Sequence, residues 1–403
     1  VQRGGDREAA VKRVVVTGVG PVSSVGIGRQ SFWTGLQEGC SGVTPFDVAG
    51  PTHTRRMAAR IEPFNVADYL ETVKTYLDRT SQLAFAAFSL ALEEANLSPT
   101  DPAVKAGGLS LGTAYGPLAT EHLFFSDFHR KGPRLVKPIL FPHAYSNTPI
   151  SLLAMEYGMT GYHLHNASGW IASTLALALA VQAIQEGHAT LMVAGGFEAF
   201  HPILFQALDQ ENRLARDEGD GEVARPYDRR RNGFVAGEGA GLVVLEEEQT
   251  ARARKAPLLA RLTGFGAAWG PAARCTALQQ AAGAWQEGDL IIGHANGSRE
   301  EDRREALAIC EWSGGTAKVP VAILGGRVGE SFGATGALQT IAAVEMLDRG
   351  TTIPLILQVP DPECPVAPAT GKERPRRVLV LSADPGGAAA ALALERSEDE
   401  LLA

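Results

Sequence analysis

Unbroken apolar runs that end in glycine alternate along this chain with stretches whose apolar residues recur every three to four positions. The segment "RVVVTGVG" (Arg13 to Gly20) is the first such run, and its continuity predicts a central strand covered on both faces. In "DRTSQLAFAAFSLALEEANL" (Asp78 to Leu97), Leu83, Ala87, Leu90 and Ala91 fall at the spacing of a helix that faces a core. "ATLMVAGG" (Ala189 to Gly196) and "GAGLVVLEE" (Gly239 to Glu247) predict two more strands. The same grammar then returns: strand and loop in "DLIIGHANG" (Asp289 to Gly297), and a strand in "KVPVAIL" (Lys318 to Leu324). A small-residue helix follows in "GATGALQTIAAVEML" (Gly333 to Leu347), and a closing hairpin in "RRVLVLSADPGGAAAALALE" (Arg376 to Glu395). Strands alternating with helices predict an α/β protein. The repeated order predicts an internal duplication, residues 11–255 and 256–403, sharing one core because no Pro/Ser-rich linker divides them. Residues 1–10, "VQRGGDREAA", lack an apolar centre and are expected to form a flexible leader, not a signal peptide.

One stretch raises a question. "GYHLHNASGWIASTLALALAVQAIQEGHATLMVAGGFEA" (Gly161 to Ala199) reads as a loop entering a buried helix and then a buried strand. Where such a loop could present a nucleophile stands Trp170. The apolar run Trp170 to Ile184 falls short of the ~20 residues that span a bilayer, which predicts a buried helix and no membrane partner.

Composition narrows the functions further. With 403 residues, 45% apolar and 20% charged, the chain has the make-up of a soluble globule. A net charge of −8 argues against nucleic acid as a partner. An acidic partner such as a carrier protein would need a local basic patch, for which "RPRR" (Arg374 to Arg377) and "DRRR" (Asp228 to Arg231) are candidates; each also fits a solvated face. Cys40, Cys275, Cys310 and Cys364 are scattered, so neither disulfides nor a cysteine metal site are expected, and a reducing cytoplasm fits. "GVGPVSSVG" matches neither phosphate-loop pattern, and no cofactor is expected.

"RPYDRRRNGFVAGEGAGLVVLEE" (Arg225 to Glu247), "VVVTGVGPVSSVG", "FWTGLQEGCSGV", "VAGGFEA" and "GATGALQTIAAV" occur in an order that resembles the β-ketoacyl-carrier-protein synthases of the thiolase superfamily, from about Val11 to Leu394. The resemblance implies a five-layer αβαβα sandwich of two like halves. It also implies carbon–carbon bond formation by a cysteine at a helix head, two histidines and a supporting lysine. Carried over residue by residue, that set is missing. Trp170 stands at the cysteine position, Asn296 at the first histidine, Gly325 at the lysine and Glu330 at the second histidine. The terminal loop reads "LSADPGGAA" (Leu381 to Ala389). No catalytic residue is therefore expected, and Trp170 reads as a plug in a retired site.

This combination resembles the chain length factors, or ketosynthase β subunits, of type II polyketide synthases. The resemblance implies a heterodimer with an active ketosynthase, a phosphopantetheine-bound chain delivered by an acyl carrier protein, and a tunnel that sets chain length. Tryptophan in place of the glutamine usual in aromatic pathways leaves the polyene-forming branch open. In "YGPLATEHLFFSDFHRKG" (Tyr115 to Gly132), Leu118, His122 and Phe125 follow one helical side, and Thr120, Phe124 and Phe128 another. Leu118, Thr120, His122 and Phe125 are the candidates to line the tunnel end. Ile139, Leu140 and Phe141 of "KPILFPHAYSN" are the candidates to touch the partner.

Two other readings stand beside this one. The first is an enzyme with rewired chemistry built on Ser168, His294 or Glu330, with Ser173 as a further hydroxyl; neither serine lies in a nucleophile elbow. The second is a homodimeric acyl-binding scaffold. His163 and His165, two apart in an expected strand, lack nearby carboxylate or cysteine ligands and do not predict a metal.

Overall fold

The computed structural model describes residues 12–48, 54–70, 72, 74–219, 221–315 and 319–397. The expected leader (1–10) and Lys318 lie outside the described residues. Ten strands carry the architecture: β1 (Val14–Ser23), β2 (Gly108–Gly112), β3 (His163–Asn166), β4 (Leu191–Glu198), β5 (Gly239–Glu247), β6 (Ala260–Trp269), β7 (Asp289–Gly293), β8 (Pro320–Ile323), β9 (Arg377–Ala383) and β10 (Ala388–Glu395). Their spatial orders are β1-β5-β4-β2-β3 and β6-β10-β9-β7-β8. In both sets the first three strands are antiparallel and the last three parallel. Each strand thus has a counterpart in the other set. Val14–Val16 pair with Ala260–Leu262, which joins the sets into one twelve-stranded sheet together with the two-residue strands Gly26–Ile27 and Ala367–Pro368.

Six helices complete the layers: α1 (Arg79–Glu94), α2 (Leu118–Lys131), α3 (Ala172–Gln185), α4 (Ala273–Ala282), α5 (Arg299–Trp312) and α6 (Thr335–Arg349). Helix α1 covers β1, β4 and β5 from outside, and α4 covers β6, β9 and β10. Between the two sets lie α3 and α6, packed on each other and on strands from both. The result is the αβαβα order. Because α6 is covered on every side, all its residues from Thr335 to Leu347 are buried, which explains its lack of a polar face.

Close approaches explain two of the glycine motifs. A Cβ on Gly20 would lie 2.0 Å from the Ala87 carbonyl oxygen of α1, so the strand ending "VTGVG" needs glycine there. A Cβ on Gly336 would lie 1.9 Å from Thr174 Oγ1, where α6 crosses α3. The crossing sets both helix heads side by side at the same end of the sandwich.

Candidate functional site

Helices α3 and α6 each begin after a single 3-10 turn, Gly169–Ile171 and Phe332–Ala334, and these turns face each other. The strand ends that bring Tyr115, His294 and Asp384 to the same place complete the site. The structure therefore gathers Trp170, His294, Asn296 and Glu330, which sequence motifs alone had linked.

Trp170 is 4% exposed. Its backbone N–H donates to Asp384 Oδ2 (3.0 Å), and its indole Nε1–H donates to the Tyr115 hydroxyl (3.3 Å). The ring meets Phe332 and Phe234 edge-on, with centroids 5.3 and 5.5 Å away, and lies nearly parallel to His294 at 5.8 Å. The Arg213 guanidinium sits 5.4 Å from the ring centroid, close enough for a cation–π contact. Space beside Trp170, His294 and Arg274 amounts to about 10 Å³. That is room for one water at most.

Below the indole lies a buried charge pair. His294 Nε2 is 3.2 Å from Glu330 Oε2, off the axis of a directed hydrogen bond, so the contact is chiefly ionic. Glu330 also accepts from Asn296 Nδ2 (2.7 Å), Thr335 Oγ1 (2.8 Å) and the Phe332 N–H (2.9 Å). Burial pushes the Glu330 pKa up, but the charge of His294 and the hydrogen bonds outweigh it and hold the carboxyl below its ordinary value. Burial likewise opposes a charged His294, yet Glu330 raises its pKa above the ordinary value. The carboxylate also lies beside the head of α6, where the helix dipole favours a negative charge.

The loop that carries this pair is anchored by two more acids. Glu305 accepts from the N–H groups of His294 and Ala295 (2.9 Å each) and from the Tyr227 hydroxyl. Asp302 accepts from the N–H groups of Asn296 (3.0 Å) and Tyr227 (2.9 Å). Burial pushes the Asp302 pKa up to about 7 despite these bonds. Gly325 adjoins Asn296: a Cβ there would stand 3.0 Å from the Ala295 carbonyl oxygen and 3.3 Å from Asn296 Cα.

The other candidate residues are scattered differently. Ser173 accepts the Ala337 N–H (3.0 Å) and is absorbed in α3–α6 packing. Ser168 is half-buried in the loop before Trp170. His165 contacts Ser146 Oγ at 3.0 Å, tying β3 to the segment after α2. Among the described residues no group of three or more His, Cys, Asp or Glu is placed to hold a metal, and no helix is long and apolar enough to cross a membrane.

Helix α2 turns its Thr120–Phe124–Asp127 side inward, with Asp127 its one buried residue. Leu118 and Thr120 are half-buried, whereas His122 and Phe125 face outward; the His122 ring is 5.9 Å from that of His201. Leu123, Phe125, Phe128, Leu135, Ile139 and Phe141 are all exposed, and Leu140 is half-buried. Phe124–Phe141 and Phe141–Tyr145 ring contacts at 5.7 and 5.1 Å link this face, which adjoins the edge strand β3. Single monomers rarely expose so continuous an apolar surface.

Sequence reasoning missed Tyr115, Phe332, Arg213 and Asp384 as neighbours of Trp170. Only the altered terminal loop "LSADPGGAA" hinted at the last of them.

Known proteins share this architecture. Residues 11–251 match the beta-ketoacyl synthase N-terminal domain, and residues 270–358 match the beta-ketoacyl synthase C-terminal domain. A Streptomyces halstedii protein carried under the name of a polyketide beta-ketoacyl synthase is 31% identical, over 97% of this chain and 99% of its own length. A 3-oxoacyl-[acyl-carrier-protein] synthase 2 from Synechocystis is 28% identical, over 90% and 92% of the two chains. Among solved structures, the ishigamide ketosynthase/chain length factor superposes with a TM-score of 0.87 at 26% identity, covering 96% of this chain and all of that one. A beta-ketoacyl synthase from Burkholderia phymatum gives the same TM-score, identity and coverage. The chain belongs to the beta-ketoacyl synthase family.

Proposed function

We propose that this chain is a non-catalytic ketosynthase-like subunit, a chain length factor, that pairs with an active ketosynthase and shapes its acyl tunnel in a type II polyketide synthase. The observation that carries the reading is the state of Trp170. Its indole fills the place where the family's acyl–cysteine would stand, and an indole offers no nucleophilic heteroatom. The backbone N–H of Trp170, which in a synthase would help to hold an oxyanion, already donates to the Asp384 carboxylate. A negative charge there opposes the one that acyl transfer would develop.

The exposed apolar face of α2 and its following segment supports a heterodimer, since obligate interfaces are large and apolar. On this reading Ile139, Leu140 and Phe141 meet the partner, and Leu118, Thr120, His122 and Phe125 border the tunnel end. The growing chain arrives on the phosphopantetheine arm of an acyl carrier protein. We further take residues 11–255 and 256–403 as the two copies of one duplicated unit. The His294–Glu330 pair is the one observation that favours a rewired enzyme instead.

Reconstitution with a cysteine-containing ketosynthase and acyl carrier protein tests the proposal. Product should require both chains, and replacing the partner's cysteine should abolish it. Product formed by this chain alone would establish the rewired enzyme.

A further inference from the structure

About 20 Å from Trp170, a 15-residue α6 away at 1.5 Å per residue, the opposite end of the molecule holds a cleft of about 780 Å³. Arg261, Arg349, Arg374, Arg376, Arg377 and Arg396 line it. They come from β6, the end of α6, the entry to β9 and the exit of β10, so distant parts of the chain converge here. Against six arginines stand three lining carboxylates, Glu287, Asp289 and Glu395. The surplus of three positive charges occurs on a chain whose net charge is −8.

The ion pairs within the cleft divide its arginines into two groups. Arg377 is clamped by both oxygens of Asp289 (2.8 and 2.6 Å), Arg261 pairs with Glu395 (3.0 Å), and Arg349 with Glu345 (2.7 Å). These pairs brace the walls. Arg396 donates to the Leu347 carbonyl (2.9 Å) near the end of α6 and packs over Gly350, where a Cβ would stand 3.0 Å from its Nη2. Arg374 and Arg376 extend from the rim and are exposed. The sequence segment "RPRR" thus sits at the mouth of a concave basic site and not on a flat face.

We propose that this cleft binds a small phosphate-bearing polyanion. Guanidinium forks match phosphate oxygens in pairs, and the ion-paired arginines fix the walls of the cleft beneath the exposed Arg374 and Arg376. A concave site of this volume fits a small ligand, whereas a protein surface would meet a broader and flatter patch. The inference is independent of the tunnel and of the retired site.

The test is calorimetric titration of the full chain with inorganic tripolyphosphate, at low salt and again at about 0.5 M salt, where the Debye length shrinks to a few ångströms. Binding is expected at low salt and should weaken strongly at high salt. Arg374→Gln with Arg376→Gln should weaken it at least about ten-fold, as expected for lost charged hydrogen bonds. Glu287→Gln, which removes an opposing charge from the rim, should tighten it. Both variants alter exposed side chains, and their melting temperatures without ligand should match the parent. Absence of binding at low salt, or equal affinity in the double arginine variant, would overturn the proposal. So would capture of an acidic carrier protein by these arginines when tripolyphosphate does not bind.

Discussion

The backbone N–H of Trp170 donates to the carboxylate of Asp384 at 3.0 Å, across 214 residues of sequence. The contact joins the head of α3 to the hairpin that closes the second half. It also strains nothing at Gly169, which has φ of 62° and where a Cβ would lie 2.4 Å from that carboxylate. Helix head, plug and closing hairpin therefore form one unit, and each can be perturbed separately.

Asp384→Ala should leave the Trp170 N–H without its charged acceptor. The expected cost is about 1–3 kcal/mol of stability, measured by urea denaturation. Trp170→Ala removes a buried indole with its ring contacts and should cost more, about 3–5 kcal/mol. Equal small losses in both variants would mean that the plug is loosely held.

The buried His294–Glu330 pair predicts a pH signature. His294 has a raised pKa in the fold, so its contribution is fully present below the ordinary histidine value and is lost as pH rises through the folded one. Glu330 has a lowered pKa, so its contribution is present above the ordinary glutamate value and is lost as pH falls through the folded one. The stability difference between the parent and His294→Gln should therefore peak at mid-range pH and shrink toward both extremes. A difference that stays constant from acid to alkaline pH would show that the pair is not ionic.

Expressed alone, the chain should self-associate through the apolar face that carries Ile139 and Phe141. With its ketosynthase it should form a one-to-one complex, seen by sizing with light scattering. Phe141 is 51% exposed in the single chain, so Phe141→Asp should spare the fold and abolish the complex. A stable, well-behaved monomer of the parent would count against the interface.

Chain length should respond to side-chain volume along α2. Overpacking a filled site costs about 1–3 kcal/mol, which shifts partitioning between successive lengths by roughly ten-fold or more. Smaller residues at Leu118, Thr120, His122 or Phe125 should lengthen the product and larger ones shorten it, with complex formation unchanged. If every variant yields the parental product, this helix does not border the tunnel.

Much of this was legible in the chain. The continuous apolar runs marked β1, β4, β5, β7 and β9, because strands buried on both faces carry no alternation. The family resemblance, carried over motif by motif, linked Trp170, Asn296 and Glu330, and the fold brings them into one site. Strand β6 was not legible: Thr263, Phe265 and Trp269 are exposed, and Gly264 and Gly266 interrupt the run to let α4 approach. Nor was the inward side of α2, since periodicity defines a face but not what it meets. The altered loop "LSADPGGAA" hinted at Asp384 but not at its partner, because a carboxylate that reaches a helix head 214 residues away has no spacing to read.

The most direct test of the central claim is intact-mass analysis of the purified chain after incubation with acyl-loaded carrier protein, beside its ketosynthase as a positive control. The partner should gain one acyl group, and this chain should stay at its unmodified mass. Trp170→Cys alone should still give no condensation product, since on the proposed reading Asn296 and Glu330 stand at the histidine positions. A covalent acyl adduct on any side chain of the parent protein would contradict the non-catalytic account.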